Sequence, residues 1–153
     1  MGQQQLLLVI LVTILVGIAT VVAINVFGSA AEQANRDAVR QDLLQGASGG
    51  QAAYIQPVAL GGAGRDFVAF GANNIARATG IPGAINGAVI TNENGIYTVA
   101  PDGVNGFTIV AEPNGYQWQL DIAVERILAD NVWVTTIDDA NPDVDEVVID
   151  PRP

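Results

Sequence analysis

A run of twenty-two residues without a charge constrains this fold more than any other feature. Leu6–Phe27 reads LLLVILVTILVGIATVVAINVF, and its only polar members are Thr13, Thr20 and Asn25. As an α-helix it would measure about 33 Å, close to the roughly 30 Å hydrocarbon core of a bilayer. The apolar core of a signal peptide is shorter and follows a basic region, and a buried helix of a small domain is seldom apolar on every face. The run therefore predicts a membrane-competent helix.

Helix-forming sequence continues beyond this run. Residues 30–45 read AAEQANRDAVRQDLLQ, and most of these residue types favour helix. Glu32 and Arg36 are spaced for an i, i+4 ion pair, while Val39 and Leu43 give one side apolar bulk. We therefore expect one helix over residues 1–45, with an apolar first half and an amphipathic second half.

The composition changes after the helix. Residues 46–87 are rich in glycine and alanine and poor in branched side chains, which predicts a loop region with short ordered pieces. Its expected anchors to a core are Tyr54, Ile55, Phe67–Phe70 and Ile75.

Residues 88–153 have the period-two pattern of β-strands. Asn92–Gly95 and Pro113–Gly115 are hairpin signals between such runs. The expected strands are Ala88–Thr91, Ile96–Val99, Phe107–Glu112, Tyr116–Val124 and Val132–Ile137, with a further one at Glu146–Ile149. An antiparallel sheet with one apolar face needs a cover, and the amphipathic half of the helix can supply it. The predicted fold class is α+β, a long N-terminal helix packed on a C-terminal antiparallel sheet.

The composition argues against several classes of function. The chain has no histidine, cysteine or lysine, and 16 acidic residues face six arginines. A serine nucleophile would have no imidazole base, so we expect no enzyme and no cofactor. A net charge of −10 disfavours nucleic acid as a partner. The lysine-free, acidic composition suits concentrated salt, which we take as a hypothesis about habitat.

One acidic stretch resembles the start of a calcium loop. Oxygen-bearing side chains occur at alternate positions, namely Asp139, Asn141, Asp143 and Asp145. Val144 occupies the position where such loops have glycine, and Pro142 restricts the backbone. A solvated acidic loop is the favoured interpretation, with a calcium site as the alternative.

The N-terminal pattern resembles the type IV pilin superfamily, including its archaeal and pseudopilin relatives. The resemblance covers residues 1 to about 45: Gly2 and three glutamines lead directly into the apolar run, and the helix continues into an amphipathic stretch. If the mature chain begins at Met1, Gln5 stands where the family has glutamate; a start at Gln3 would place Leu7 there. The family's C-terminal disulfide has no counterpart in this cysteine-free chain.

The resemblance implies a subunit that waits in the membrane and then polymerises through its apolar helix into an extracellular filament on the cell surface. It implies copies of the same chain as partners, with a prepilin peptidase acting near Gly2 and an assembly platform. The expected assembly residues are Gln3, Gln4, Gln5, Leu6, Leu7, Leu8, Ile10, Leu11, Ile14, Leu15, Gly17, Ile18, Val21, Val22, Ile24 and Phe27.

Two other functions remain open on sequence. A membrane-tethered monomeric binding module, or a minor pseudopilin of a secretion system, would also carry such a helix. A tethered enzyme is disfavoured by the missing histidine, cysteine and lysine.

Overall fold

A computed structural model describes residues 2–116, 119–127, 132–139 and 147–149 of the chain. Helix α1 is uninterrupted from Gly2 to Ile55. A 3-10 turn at Val58–Leu60 and two short helices, α2 (Phe67–Phe70) and α3 (Ala72–Ala78), lead to the sheet. The strands are β1 (Ala84–Asn86), β2 (Val89–Thr91), β3 (Gly95–Asp102), β4 (Gly106–Pro113), β5 (Leu120–Ile127), β6 (Val132–Asp139) and β7 (Val147–Ile149).

The chain divides into two compact units, Met1–Asn35 and Arg36–Pro153. We call them the N-terminal unit and the C-terminal unit. The described part of the N-terminal unit is helix throughout. The C-terminal unit holds the remainder of α1, the short helices and the sheet.

The sheet of the C-terminal unit is an antiparallel meander. Its strand order follows the chain from β1 to β7, and every neighbouring pair is antiparallel. Side chains along β3 alternate between the core and solvent, and Leu120, Ile122 and Val124 of β5 are buried as the sequence pattern predicts. Both expected hairpin positions join antiparallel strands, while residues 117 and 118 of the expected strand Tyr116–Val124 lie outside the described residues.

The second half of α1 covers the apolar face of this sheet. Val39, Leu43 and Tyr54 belong to one buried cluster with Phe107 and Ile109. Because inward side chains of a sheet are out of water only when another layer lies against them, this helix face completes the core. The predicted α+β arrangement, with the helix as the cover, is confirmed.

The predicted helix end at Gln45 is wrong, because α1 continues through Gly46, Gly49 and Gly50 to Ile55. Packing explains these glycines. A Cβ on Gly50 would lie 2.2 Å from Cζ of Phe107, and one on Gly49 would lie 2.4 Å from the carbonyl oxygen of Thr79. Glycine therefore allows the sheet and the end of α3 to approach the helix backbone, and favourable packing outweighs its low helix propensity.

The helix ends where proline intervenes, and the following segment is more ordered than predicted. Gln56 precedes Pro57, and a residue before proline is disfavoured in the α conformation. Residues 56–83, expected to be mainly loop, contain the 3-10 turn and both short helices, and Asp66 caps α2 by accepting a hydrogen bond from the Ala69 N–H at 2.9 Å. Of the expected anchors, Tyr54, Phe67 and Ile75 are buried, whereas Ile55 and Val68 are exposed.

Two strand boundaries also differ from the prediction. β1 was not expected; its three residues are exposed and pair only along β2, from Ala84↔Thr91 to Asn86↔Val89. β5 begins at Leu120, four positions after the expected start at Tyr116. In both cases strand pairing, which a local pattern does not encode, decides the boundary.

Replacing Gly49 with alanine tests the close approach between α1 and α3. We expect Gly49→Ala to lower the free energy of unfolding of the C-terminal unit by about 2 kcal/mol, because the new methyl group would meet backbone atoms. This overrides the gain of about 1 kcal/mol that alanine offers in a helix. Urea denaturation measures the change. Ser48→Ala, at an exposed neighbouring position, should stay within about 0.5 kcal/mol of the wild type; an equally small effect of Gly49→Ala would contradict the close packing.

Candidate functional site

The most unusual surface of the protein is the apolar helix segment, which we define as residues Leu6–Phe27 of α1. Its large apolar side chains are between 48% and 73% exposed. The expected assembly residues all lie on it or, for Gln3, Gln4 and Gln5, on the exposed helical turn before it. A soluble protein rarely exposes so long an apolar surface, so the segment indicates a binding surface for lipid or protein.

The few polar groups of the segment are largely internally satisfied. The Thr13 hydroxyl donates to the Val9 carbonyl at 2.7 Å, and the Thr20 hydroxyl donates to the Val16 carbonyl at 2.8 Å. Such i−4 hydrogen bonds remove the need for water at these side chains. Asn25, two residues before the end of the segment, is exposed.

The dimensions of the segment suit a bilayer. The most apolar eighteen-residue window of α1 has a mean hydropathy of 3.1, and none of that window is buried within the protein. Length and composition therefore make α1 a helix that could anchor the chain in a membrane. Gly17 lies within the segment with open space around its Cα, and Gly2 is the first described residue of the helix.

A buried carboxylate joins α1 to the sheet within the C-terminal unit. Asp42 is only 8% exposed. Its Oδ2 accepts hydrogen bonds from the Tyr97 hydroxyl at 2.6 Å and from the side-chain amides of Asn92 and Asn94, each at 2.9 Å. Three donors on one carboxylate oxygen are what a buried negative charge requires. We call these four residues the Asp42 network.

The β2–β3 turn is shaped to deliver two of these donors. The Asn92 Oδ1 accepts hydrogen bonds from the backbone N–H groups of Asn94 and Gly95, at 2.9 and 3.0 Å. This local turn leaves the Asn92 amide free to reach Asp42 and the Pro82 carbonyl. The network thereby fixes the position of the turn against the helix.

The Asp42 network was not predicted from the sequence. A signal was present: Asp42 lies between Val39, Leu43 and Gly46, on the side of the helix that the apolar spacing assigns to the core. A charge on that side must find buried donors. Which residues supply the donors depends on the hairpin register, which pairs Ile90 with Tyr97.

Alkaline pH should destabilise the protein through Tyr97. Burial, followed by the hydrogen bond to Asp42 and its negative charge, raises the pKa of Tyr97 well above its usual value. Above about pH 10 the unfolded chain loses a proton that the folded chain keeps, so stability falls as pH rises, by at most about 1.4 kcal/mol per pH unit. The chain has no lysine, so no lysine side chain titrates in the same pH range.

Denaturation at several pH values between about 9 and 11 measures that slope. Tyr97→Phe should start from a lower stability and show a shallower decline over the same range. A slope identical to that of the wild type would contradict the assignment to Tyr97.

A second feature of the C-terminal unit is a cleft of about 570 Å³ where α1 ends. It is lined by small and apolar residues together with Gln56, Asn74 and Arg77. These polar side chains are two amides and one guanidinium. Most of its lining residues are glycines and alanines, so its walls are formed by short side chains.

An aromatic cluster supports the same end of the C-terminal unit. The Tyr54 ring packs edge-on against Trp133 and tilted against Phe67, with both centroid distances at 5.1 Å. The Tyr54 hydroxyl donates to Asn105 Oδ1 at 2.7 Å, and the Arg126 guanidinium lies 5.5 Å from the ring centroid. These contacts hold the β3–β4 turn against the end of α1.

The candidate calcium residues lie almost entirely outside the described part of the chain. Asn141, Asp143 and Asp145 are not described, and only the backbone of Asp139 is, at the end of β6. Among the described residues, no group of acidic side chains is arranged to hold a metal ion.

Comparison of the chain with known proteins identifies no relative. No protein-family model, no curated protein and no solved structure matches the chain.

Proposed function

We propose that this chain is the structural subunit of an extracellular, type IV pilus-like helical filament on the cell surface. The observation that carries the proposal is the combination within one uninterrupted helix: the apolar helix segment is exposed, while residues 39–54 of the same helix form part of a folded core. A lone membrane anchor needs no such continuity. In a polymer, this continuity would connect each folded unit to a central bundle of helices.

Burial of the apolar helix segment supplies a driving force for assembly. Removing on the order of 1,500 Å² from water at about 25 cal/mol per Å² corresponds to tens of kcal/mol before entropy and reference-state corrections. In the bilayer, lipid provides this burial; in the filament, neighbouring helices would provide it together with close packing. The membrane is then the store from which subunits are drawn.

The proposed assembly involves few polar contacts in the core. The internal hydrogen bonds of Thr13 and Thr20 leave apolar surface that can pack against lipid or protein alike. Gln5 stands where the family that the chain resembles has glutamate. Its amide can hydrogen-bond the terminal amine of a neighbouring copy but cannot form an ion pair with it. A prepilin peptidase acting near Gly2 and a membrane assembly platform are the partners that this function would require.

A membrane-tethered binding module is the alternative function. The observation that favours it is the cleft of about 570 Å³, which is large enough for a small ligand or a peptide side chain. On this alternative the helix only anchors the chain, and copies need not contact one another.

Electron microscopy of sheared cell-surface material separates the two. We expect fibres whose main component, identified by mass spectrometry, is this chain. The same spectra would give the mature N-terminus and thereby test processing near Gly2. Recovery of the protein solely from the membrane fraction, with no fibres, would support the tethered module and contradict the filament.

A further inference from the structure

Charge is distributed unevenly over the C-terminal unit. The chain has 16 acidic residues and six arginines, yet residues 51–83 contain two arginines, Arg65 and Arg77, and a single acid, Asp66. That acid caps α2. Both arginines are exposed, so this part of an otherwise acidic surface presents positive charge to solvent.

The two arginines accompany a group of exposed apolar side chains. Val58 and Arg77 line the same cleft, and a Cβ on Gly64, next to Arg65, would lie 2.6 Å from Val58. Val58, Leu60 and Val68 are all more than half exposed. We call the set Val58, Leu60, Arg65, Val68 and Arg77 the arginine patch. Apolar exposure of this kind in a folded unit indicates an interface.

A patch of the opposite charge lies on the outer face of the sheet. Ile96 on β3 is the direct cross-strand partner of Glu112 on β4, and both are exposed. Glu93 is exposed in the adjoining β2–β3 turn, where the Asn114 amide donates to its carbonyl. We call Glu93, Ile96 and Glu112 the carboxylate patch. It combines two negative charges with an apolar side chain.

The two patches lie at opposite ends of the C-terminal unit along α1. Asp42 of α1 is hydrogen-bonded to the β2–β3 turn, which carries Glu93, whereas Ala53 and Gln56 line the cleft of the arginine patch. Asp42 and Ala53 are eleven residues apart on one helix, which corresponds to about 17 Å of axial rise. The patches therefore cannot meet within one chain.

Other charges near each end do not cancel this arrangement. Arg36 and Arg40 lie toward the carboxylate end of α1, and each already has an interaction within the chain. Asp102, the exposed last residue of β3, lies at the end where Tyr54 contacts Asn105. At that end the guanidinium groups of Arg65, Arg77 and Arg126 are set against the carboxylates of Asp66 and Asp102.

We infer that the arginine patch of one copy docks on the carboxylate patch of the next copy, head to tail. Two different complementary patches on opposite ends make a heterologous contact, which propagates into an open polymer unless the rotation closes a ring. The contact rests on the proposed filament function and adds to it a second interface, between the folded units, that sets the direction of stacking. Charge complementarity selects the partner, and the apolar side chains on both sides supply buried area.

Charge reversal tests the contact in the full chain, expressed in cells that lack the wild-type copy. Arg65→Glu with Arg77→Glu makes both patches acidic, and Glu93→Arg with Glu112→Arg makes both basic. Each double variant alone should yield about tenfold fewer fibres than the wild type, or none, because like charges then face each other. Expressed together, the two should form fibres that contain both in equal amounts, since each patch again meets its opposite.

Ala100→Glu, exposed on the outer face of β3 and about 13 Å along the strand from Ile96, is the control and should assemble like the wild type. Thermal unfolding of each variant shows that the C-terminal unit is folded. Normal fibres from either double variant alone, or no rescue on co-expression, would overturn the inference while leaving the filament proposal in place. If the wild type itself forms no fibres, the filament proposal is contradicted, and so is the contact that rests on it.

Discussion

Replacing Ile14 with aspartate should abolish fibre formation. Ile14 is exposed near the middle of the apolar helix segment, where an assembled bundle would enclose it. A carboxylate there would be buried without a partner, which costs several kcal/mol for each subunit and is repeated along the fibre. Leu8→Asp should have the same effect nearer the N-terminus. Fibre yield in sheared surface fractions, scored by electron microscopy, measures the loss.

The controls separate loss of assembly from loss of the protein. Ile14→Leu keeps the side chain apolar and should assemble normally. The melting temperature of the C-terminal unit should be unchanged in Ile14→Asp, because residue 14 belongs to the other compact unit. Membrane fractionation shows whether the variant still reaches the bilayer, since a charge at the helix centre costs about 3 kcal/mol on insertion scales. Normal fibres from Ile14→Asp would refute a bundled apolar core.

Replacing Asp42 with alanine should lower the free energy of unfolding of the C-terminal unit by about 3 kcal/mol. The substitution leaves the Tyr97 hydroxyl and the amides of Asn92 and Asn94 without their shared acceptor in a buried site. Buried donors that lose their partner cost more than the hydrogen bond contributed. Urea denaturation followed by circular dichroism measures the change.

Asp37→Ala is the matched control on the exposed side of the same helix and should change stability by less than about 0.5 kcal/mol. A double-mutant cycle sharpens the result: adding Tyr97→Phe to Asp42→Ala should cost less than Tyr97→Phe alone, because the hydroxyl has already lost its acceptor. Additive effects, or a wild-type stability for Asp42→Ala, would contradict the Asp42 network.

The fold was predictable from the sequence where a pattern repeats over many residues. The uncharged run at Leu6–Phe27 and the alternation along Leu120–Val124 each indicate one type of element on their own. Together they predict a long helix and an antiparallel sheet, and the need to cover the apolar face of the sheet predicts how the two pack. The confirmed α+β arrangement follows from these features.

The boundaries were less predictable because tertiary contacts decide them. Gly46, Gly49 and Gly50 read locally as loop, yet they lie in a helix because Phe107, Ile109 and Thr79 approach its backbone closely. β1 has no pattern of its own and exists through its pairing with β2. Neither effect is visible without the partner in space.

The candidate sites also differ in how far the sequence alone predicts them. The apolar helix segment could be predicted from composition alone. A small domain cannot bury so much apolar surface, so the side chains of this segment are exposed. The arginine and carboxylate patches could not, since Arg65 and Arg77 lie in a segment expected to be loop, and Ile96 meets Glu112 only through the β3–β4 register. The contact proposed for Gln5 and the assembly function of the helix remain predictions.

Helical reconstruction of purified fibres tests the central claim most directly. We predict that residues 6–27 of successive copies pack against one another at the fibre axis, with the sheets of the C-terminal units outside them. A fibre in which this segment lies at the periphery or is absent, with contacts only between C-terminal units, would contradict the account.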